Sequence, residues 1–263
     1  LAHAHQTAED FRESFALSNL LARPLRPYLE YAYSLPDHLV CPSEHNQSVI
    51  ATYTDTPSTV VSNGFDPDRL EGFESLRGEY RDRFDLSGTV VFMVGHVIPR
   101  KGLAAFVETA RRLPDTDFVW FGYLNPTGGR LDRLLRRRET TRLVESAPEN
   151  CTFTGYVGDI RGAYAAGDVF FFPTRNENEG MALLEAMACG RPPVVRSIPT
   201  FEWLTDGEDC LKADGETGFV EAIERLEDPD LRERLGASAA TRSEAYTLDA
   251  VGEELVALYR ELV

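Results

Sequence analysis

From about residue 89 onward, short apolar runs alternate with amphipathic segments, and this alternation constrains the fold more than any other feature of the chain. Apolar runs rich in Val and Phe are typical of parallel strands buried on both faces, and amphipathic segments between them are typical of covering helices. The pattern predicts an α/β fold built from βαβ units around a doubly wound parallel sheet. The predicted strands are 89–94, 117–121, 151–154, 169–172 and 193–196, and the predicted helices are 102–113, 130–146, 160–166, 180–189, 216–227, 229–244 and 247–262.

The first 62 residues have a different pattern, with fewer strands. They predict a helix around 8–33, a strand at 37–41, a helix at 43–53 and a strand at 58–61. Two short strands cannot form a covered sheet alone, so this segment is interpreted as the rear part of another α/β domain whose front half is absent. We therefore predict a truncated N-terminal domain over 1–62, a complete domain over 63–245, and a terminal helix over 246–263 that packs back toward the first.

Composition excludes several classes of function. The formal net charge of -16 argues against a nucleic-acid-binding surface, and no apolar run approaches the ~20 residues of a membrane span. Among 27 basic residues only Lys101 and Lys212 are lysines, a bias that resembles proteins of concentrated salt, although an ordinary acidic cytosolic protein is the alternative. The four scattered cysteines show no paired spacing and are interpreted as reduced core residues, which favours the cytosol.

The segment from Pro173 to Gly190 carries the strongest chemical signal. The strand at 169–172 leads into a polar loop, and an almost wholly apolar helix follows, with Gly190 as its C-cap. Glu185 lies inside that helix, where a desolvated carboxylate needs a partner, eight positions after Glu177 in the loop. This arrangement would present two carboxylates and a helix N-terminus to a polyhydroxylated, anionic ligand. A glycosidase-type acid/base pair is the alternative, and Glu179 is expected to be solvated.

The loop from Gly95 to Gly102 follows the first strand of the large sheet and places Arg100 and Lys101 at the start of a helix. A glycine turn with two cations there predicts a phosphate cradle, and a purely structural loop is the alternative. The loop has neither the dinucleotide-binding glycine fingerprint nor the Lys-Ser/Thr of a P-loop, which weakens both of those interpretations.

Two further features support less. His3 and His5 would lie on the same strand face, but without a nearby carboxylate or cysteine they do not predict a metal site. The arginine-rich stretch 130–142 is predicted to be a solvated surface helix, with a membrane-surface patch as the alternative.

Taken together, these segments resemble the retaining glycosyltransferases of family 4, which have the GT-B fold. Residues 62–66 are similar to that family's interdomain Asn-Gly-Val-Asp signature, and residues 95–102 resemble its diphosphate-binding loop. Residues 154–157 resemble its base-contacting loop, and Glu177 and Glu185 match its two glutamates with seven residues between them.

Within this family, the chain is most similar in two stretches to bacterial 1,2-diacylglycerol 3-glucosyltransferases. These are residues 3–19, and residues 177–180 together with 196–203. The resemblance implies a GT-B architecture with a complete Rossmann-like C-terminal domain and a truncated N-terminal acceptor domain.

The resemblance also implies roles for individual residues. Lys101, with Arg100 beside it, would stabilise the diphosphate leaving group, and Glu177 would contact the donor hexose. His5 would face the reaction centre, and Glu185 would hold the ribose. The donor-binding residues implied are Gly95, His96, Tyr156, Val157, Gly180, Met181, Ala182 and Glu185. His96 stands where many members carry arginine, so one diphosphate contact is missing or is supplied by Arg100.

The function implied is transfer of a hexose from a nucleotide sugar, UDP-glucose or similar, to a lipid acceptor with retention and without a metal or other cofactor. The protein would then be cytoplasmic, in peripheral contact with the inner membrane face. Transfer to a soluble sugar or polysaccharide is the alternative within the class, and a catalytically silent nucleotide-binding fragment is the alternative outside it. An oxidoreductase is disfavoured by the missing glycine fingerprint. Without the front half of its N-terminal domain, this chain alone is expected to be inactive.

Overall fold

The computed structural model describes residues 1–14, 18–124 and 138–262, which form two parallel sheets with helices around them. The smaller sheet has the order β1-β2-β3 and the larger the order β6-β5-β4-β7-β8-β9, and every pair of neighbouring strands is parallel. The predicted α/β class is therefore confirmed.

The smaller sheet contains three strands rather than the two predicted. Its strands are β1 (Ala2–His3), β2 (Leu39–Cys41) and β3 (Ser58–Val60), and its helices are α1 (Ala8–Phe11), α2 (Ser18–Tyr33) and α3 (Glu44–Ile50). The prediction of one helix around 8–33 is wrong, because the chain leaves the helical conformation at Arg12 (ψ 151°) and Glu13 has a positive φ of 56°.

The larger sheet agrees closely with the predicted alternation. Its strands are β4 (Val90–Val94), β5 (Asp117–Phe121), β6 (Cys151–Gly155), β7 (Val169–Phe172), β8 (Pro193–Arg196) and β9 (Leu211–Ala213). Its helices are α4 (Arg77–Phe84), α5 (Leu103–Arg112), α6 (Arg138–Glu145), α7 (Arg161–Ala166), α8 (Met181–Ala188), α9 (Gly215–Arg225), α10 (Pro229–Ser243) and α11 (Leu248–Leu262). Of the helix predicted at 130–146, residues 130–137 lie outside the described residues, and with them most of the arginine-rich stretch.

The order of the larger sheet reverses between β4 and β7, which lie side by side at its centre. From β4 the chain moves to β5 on one side, and from β7 it moves to β8 on the other, so the loops after β4 and β7 diverge. A crevice opens at such a switch point, at the carboxyl ends of the strands. All residues of both strands are buried, and the rings of Phe92 and Phe170 pack edge to face across them at 5.2 Å.

The end of the chain returns to the smaller sheet. Phe65 donates its backbone N–H to Tyr246 at 2.9 Å, and α11 places Val251 and Leu258 in one apolar cluster with Val40 and Val61. The division into domains at residues 62 and 245, with a terminal helix that packs back toward the first domain, stays a prediction. No helix of the described ranges is both long enough and apolar enough to span a membrane.

Candidate functional site

The two loops singled out in the sequence meet at the switch point of the larger sheet. Gly95–Gly102 follows β4 and Pro173–Gly180 follows β7. Gly102 has a φ of 83°, and a Cβ atom there would lie 2.2 Å from the carbonyl oxygen of Pro173. Arg175 donates its backbone N–H to the carbonyl of Arg100 at 2.9 Å. Only glycine allows this approach, which brings the cations of one loop to the carboxylate of the other.

Glu177 lies at the centre of this junction, with 9% of its side chain exposed. Its carboxylate accepts a hydrogen bond from Lys101 Nζ and another from Thr174 Oγ1 at 3.1 Å. Arg100 Nη1 lies 3.6 Å from the same Oε1 atom and donates to the carbonyl of Asn176 at 2.7 Å. Two cations therefore share one carboxylate, and Arg100 Nε is a buried donor without a partner in the described structure. The centre keeps an unused donor beside two cations, which suits an anionic ligand.

A cavity of about 450 Å³ opens beside this centre. Of the predicted site residues it is lined by His5, Gly95, Arg100, Lys101, Glu177, Gly180, Met181 and Ala182. Helix α8 begins at Met181, so the partial positive charge of its N-terminus lies at the same cavity. The cavity therefore has fixed positive groups on two sides.

A second cavity of about 460 Å³ shares Val94 and Gly95 with the first. It is lined by the remaining predicted residues, His96, Tyr156, Val157 and Glu185. Glu185 accepts a hydrogen bond from the hydroxyl of the fully buried Tyr164, the partner that a carboxylate in an apolar helix needs. All twelve predicted site residues thus line two adjoining cavities, while their individual roles stay predictions.

The surroundings of two histidines at the cavities, His96 and His5, shift their pKa values. Burial lowers the pKa of His96, and the neighbouring charges of Lys101 and Arg100 lower it further. Burial also lowers the pKa of His5, with a smaller contribution from His3, whose ring lies 5.4 Å away and nearly parallel. Among the described residues, no group of three or more His, Cys, Asp or Glu side chains could hold a metal ion.

The prediction that Glu179 is solvated is wrong. Only 6% of this residue is exposed, because its carboxylate accepts hydrogen bonds from the segment joining the two sheets. Ser62 Oγ donates to it, as do the backbone N–H of Asn63 at 3.1 Å and its Nδ2 at 2.7 Å. Burial raises the pKa of Glu179, and these hydrogen bonds only partly offset the effect. The Ser62–Asn63 motif was recognised in the sequence, but Glu179 lies 116 positions after Asn63, so the sequence did not indicate that the two are hydrogen-bonded.

Sequence reasoning also missed two other residues at the cavities. Asp10 lines the first cavity and accepts a hydrogen bond from Asn176 Nδ2 at 2.6 Å, and burial raises its pKa. Tyr123 lines the second cavity, and its ring stacks on that of Tyr156 at 4.8 Å and 16°. A stacked aromatic pair at the edge of a cavity can hold a flat heterocycle.

Comparison with known sequences gives three matches. A sequence profile described as "Glycosyl transferases group 1" matches residues 88–228. The chain is 31% identical to the processive diacylglycerol alpha-glucosyltransferase of Acholeplasma laidlawii, over 100% of this chain and 79% of that protein. It is 32% identical to the alpha-D-kanosaminyltransferase of Streptomyces kanamyceticus, over 72% of this chain but only 50% of that protein.

The fold is similar to that of Anabaena HepE, solved in complex with UDP-glucose. The TM-score is 0.80, with 17% sequence identity over 99% of this chain and 72% of that chain. At this identity the likeness concerns the fold alone, and it confirms the predicted GT-B type.

Proposed function

The chain belongs to the glycosyl transferases group 1 family, and on that premise we propose that it transfers a hexose from a nucleotide sugar, UDP-glucose or similar, with retention of configuration. The observation that carries the proposal is the meeting of Lys101 and Arg100 with Glu177 at the switch point, beside the first of two adjoining cavities. The first cavity suits the diphosphate and hexose, and the second suits the ribose and base. A relative in fold, Anabaena HepE, was solved with UDP-glucose, which supports this class of donor.

The proposed chemistry follows from where charge develops. When the bond between C1 of the hexose and the diphosphate oxygen breaks, negative charge grows on the phosphate oxygens. Lys101, Arg100 and the N-terminus of α8 are fixed positive groups at the same cavity, and such preorganised groups usually make the largest contribution to catalysis. Glu177, held between the cations and the cavity, would contact the hexose. Glu185 would accept hydrogen bonds from the ribose, in a cavity edged by Tyr156 and Val157.

The proposed acceptor is a lipid, in peripheral contact with the cytoplasmic membrane face. The Acholeplasma relative is named for diacylglycerol, which supports a lipid acceptor. Helix α2 and the residues just after it expose five large apolar or aromatic side chains, a feature typical of surfaces that bind partners or membranes. They are Leu20, Leu21, Tyr28, Tyr31 and Leu35.

Calorimetry with UDP tests the donor site. The original chain is expected to bind UDP with a millimolar or lower Kd. Lys101→Ala should weaken binding about tenfold to a hundredfold, because a charged donor to phosphate contributes about 1.5–3 kcal/mol. The matched control is Lys212→Ala, which changes the other lysine, on edge strand β9, and should leave the Kd unchanged. Absence of UDP binding by the original chain would refute the donor site.

A transfer assay separates the candidate acceptors. UDP-glucose with a radiolabelled hexose is supplied together with lipid vesicles that contain diacylglycerol, or with a soluble disaccharide. Label in the lipid fraction supports the lipid acceptor, whereas label in the disaccharide supports the soluble alternative. Because this chain alone is expected to be inactive, the assay is run on a longer form of the protein that includes more of the N-terminal domain; binding of UDP-glucose by that form with no transfer to either acceptor supports a catalytically silent nucleotide-binding protein.

A further inference from the structure

A third cavity, of about 480 Å³, is lined by none of the twelve predicted site residues. Its walls include residues that follow strands of both sheets: Pro42 after β2, Ser62 after β3 and Pro199 after β8. Tyr246 and Glu254, from the part of the chain that returns to the smaller sheet, complete it. Its volume lies in the range of small-molecule sites, and the proposed donor does not account for it.

The third cavity adjoins the loop that carries Glu177. Glu179 lines both the first and the third cavity, and its carboxylate is occupied by Ser62 and Asn63. Thr200 lines the third cavity as well, and its hydroxyl donates to the backbone carbonyl of Glu177 at 2.8 Å. A molecule bound in the third cavity would therefore contact residues that support this loop.

An angled pair of aromatic residues lines the third cavity. The rings of Trp203 and Tyr246 lie 4.8 Å apart at 47°, and both residues are half-buried. Within the described ranges, neither Trp203 Nε1 nor the Tyr246 hydroxyl has a hydrogen-bond partner. Burial raises the pKa of Tyr246, and Glu179 and Glu254 raise it further against the opposing charge of Arg242, so the hydroxyl keeps its proton. The pair thus offers apolar surface together with two unused donors.

The other polar groups of the third cavity are mainly acceptors. The carboxylates of Glu44, Glu202 and Glu254 are exposed and form no hydrogen bond or ion pair with another described residue. No Lys or Arg side chain is among the described residues that line this cavity. Negative charge without a neighbouring cation disfavours a nucleotide, a phosphate or any other anion.

A sugar uses all of these groups. Its ring has an apolar face that can pack on Trp203 or Tyr246, and its hydroxyls can both accept from the two unused donors and donate to the carboxylates. An organic cation could use the carboxylates and the rings, but it would leave the donors of Trp203 and Tyr246 unpaired. The mixture of donors and acceptors therefore favours an uncharged polyhydroxylated ligand.

We propose that the third cavity is a binding site for a neutral sugar, a hexose or a molecule that carries one, separate from the position of the donor hexose. The proposal goes beyond the proposed function, because the site contains none of the residues assigned to the donor. The chain would then hold two sugars at once, one on each side of the loop from Glu177 to Glu179.

Titration with methyl α-D-glucopyranoside tests this site. The chain has two tryptophans, and Trp120 is fully buried with its Nε1 bonded to the carbonyl of Gly95, so Trp203 is the one whose emission the sugar should change. Saturation-transfer NMR with the same sugar measures binding without relying on tryptophan. We expect both signals to saturate with one Kd in the millimolar range, as for other small ligands. Absence of saturable binding up to about 50 mM sugar would overturn the proposal.

Two variants locate the bound sugar. Tyr246→Phe keeps the ring but removes the unused hydroxyl, so the Kd should rise about threefold to tenfold. The matched control is Tyr259→Phe, which removes the hydroxyl of an exposed tyrosine of α11 outside the cavity and should leave the Kd unchanged. Ser48→Phe adds a ring at an exposed position that lines the cavity and should abolish binding, which keeps the test decisive if Tyr246→Phe does not fold. Sugar binding that neither variant weakens would overturn the proposal.

Competition separates this site from the donor site and from a cation site. Saturating UDP-glucose should leave the sugar bound, whereas full displacement would place the sugar at the donor position and overturn the proposal. Binding of putrescine that weakens with added salt, without binding of the sugar, would assign the cavity to a cation and overturn it too. Failure of the chain to bind UDP would refute the donor site alone, because the titrations of Tyr246→Phe and Ser48→Phe need no nucleotide.

Discussion

Gly102 is the contact point between the two loops of the site, and its replacement by alanine gives the sharpest test of how that site is built. Two costs can be separated in the structure. The residue has a φ of 83°, in the left-handed region that disfavours residues with a Cβ atom. The added Cβ would also lie 2.2 Å from the oxygen and 2.6 Å from the carbon of the Pro173 carbonyl, and a rigid backbone group cannot rotate away.

The left-handed conformation costs about 1 kcal/mol for alanine. Relief of the clash with Pro173 requires a backbone shift, and overpacking of this kind costs about 1–3 kcal/mol. The free energy of unfolding should therefore fall by about 2–4 kcal/mol, which for a chain of this size, at about 2 °C per kcal/mol, lowers the Tm by about 4–8 °C. The shift also displaces Arg100 and Lys101 from the cavity that they line, so UDP affinity should fall although neither side chain is changed.

Thermal unfolding followed by circular dichroism measures the first effect, and calorimetry with UDP measures the second. The control is Gly88→Ala, since Gly88 also has a positive φ (53°) but nothing lies within 4 Å of the Cβ position. It should cost only the conformational ~1 kcal/mol and leave UDP binding intact. If both variants melt at the same temperature, the clash between the added Cβ atom and Pro173 does not contribute the ~1–3 kcal/mol assigned to it.

Three further predictions concern charge and surface. Glu177→Gln should preserve or increase UDP affinity, because Lys101 and Arg100 no longer share a carboxylate, but it should weaken UDP-glucose binding. Calorimetry with both ligands measures the two affinities, and equal losses would contradict the role assigned to Glu177. Since the pKa of His96 is lowered, its imidazole is neutral at pH 7, and UDP binding should strengthen as the pH falls below about 6.5. The His96→Arg variant should bind UDP more tightly at pH 7, and its UDP affinity should not strengthen further as the pH falls. Identical pH profiles of UDP binding for the variant and the original chain would contradict this role of His96. Replacing Leu20, Tyr28 and Tyr31 by serine should reduce sedimentation with lipid vesicles without lowering the Tm, because these side chains are exposed, and undiminished sedimentation would exclude α2 as the membrane surface.

The four central strands of the larger sheet, β4, β5, β7 and β8, could be predicted almost to the residue because they are covered on both faces. Such strands form uninterrupted apolar runs, as in 169–172, where the predicted and observed bounds agree. The site could also be located, since parallel strands place the loops at their carboxyl ends along one edge. Glu177 and Lys101 are 76 positions apart, yet each lies a few residues after a central strand, so the topology brings them together.

The elements that escaped prediction carry little hydrophobic pattern. Strand β9 has three residues, and one of them is Lys212. Helix α4 is polar on nearly all sides, and Tyr80 is its one buried residue. In 8–33 the apolar periodicity continues past Arg12 and Glu13, where the backbone turns away, so periodicity alone joins two helices into one. Local pattern fails where tertiary contacts, rather than apolar spacing, fix the backbone.

Glu177 and Glu179 show why a site of this kind can be predicted only in part from a sequence. The two residues are of the same type and two positions apart, yet Glu177 accepts a hydrogen bond from Lys101 at the first cavity and Glu179 accepts hydrogen bonds from Ser62 and Asn63. In an extended segment successive side chains point to opposite sides, so the sequence alone would predict that both glutamates lie on one side and Asn178 on the other. What separates them is the set of partners that each finds from distant parts of the chain. The Glu177 carboxylate is therefore held by Lys101 and Thr174 from the loops of the larger sheet, whereas the Glu179 carboxylate is held by Ser62 and Asn63 from the segment that joins the two sheets, and no local pattern distinguishes the two glutamates.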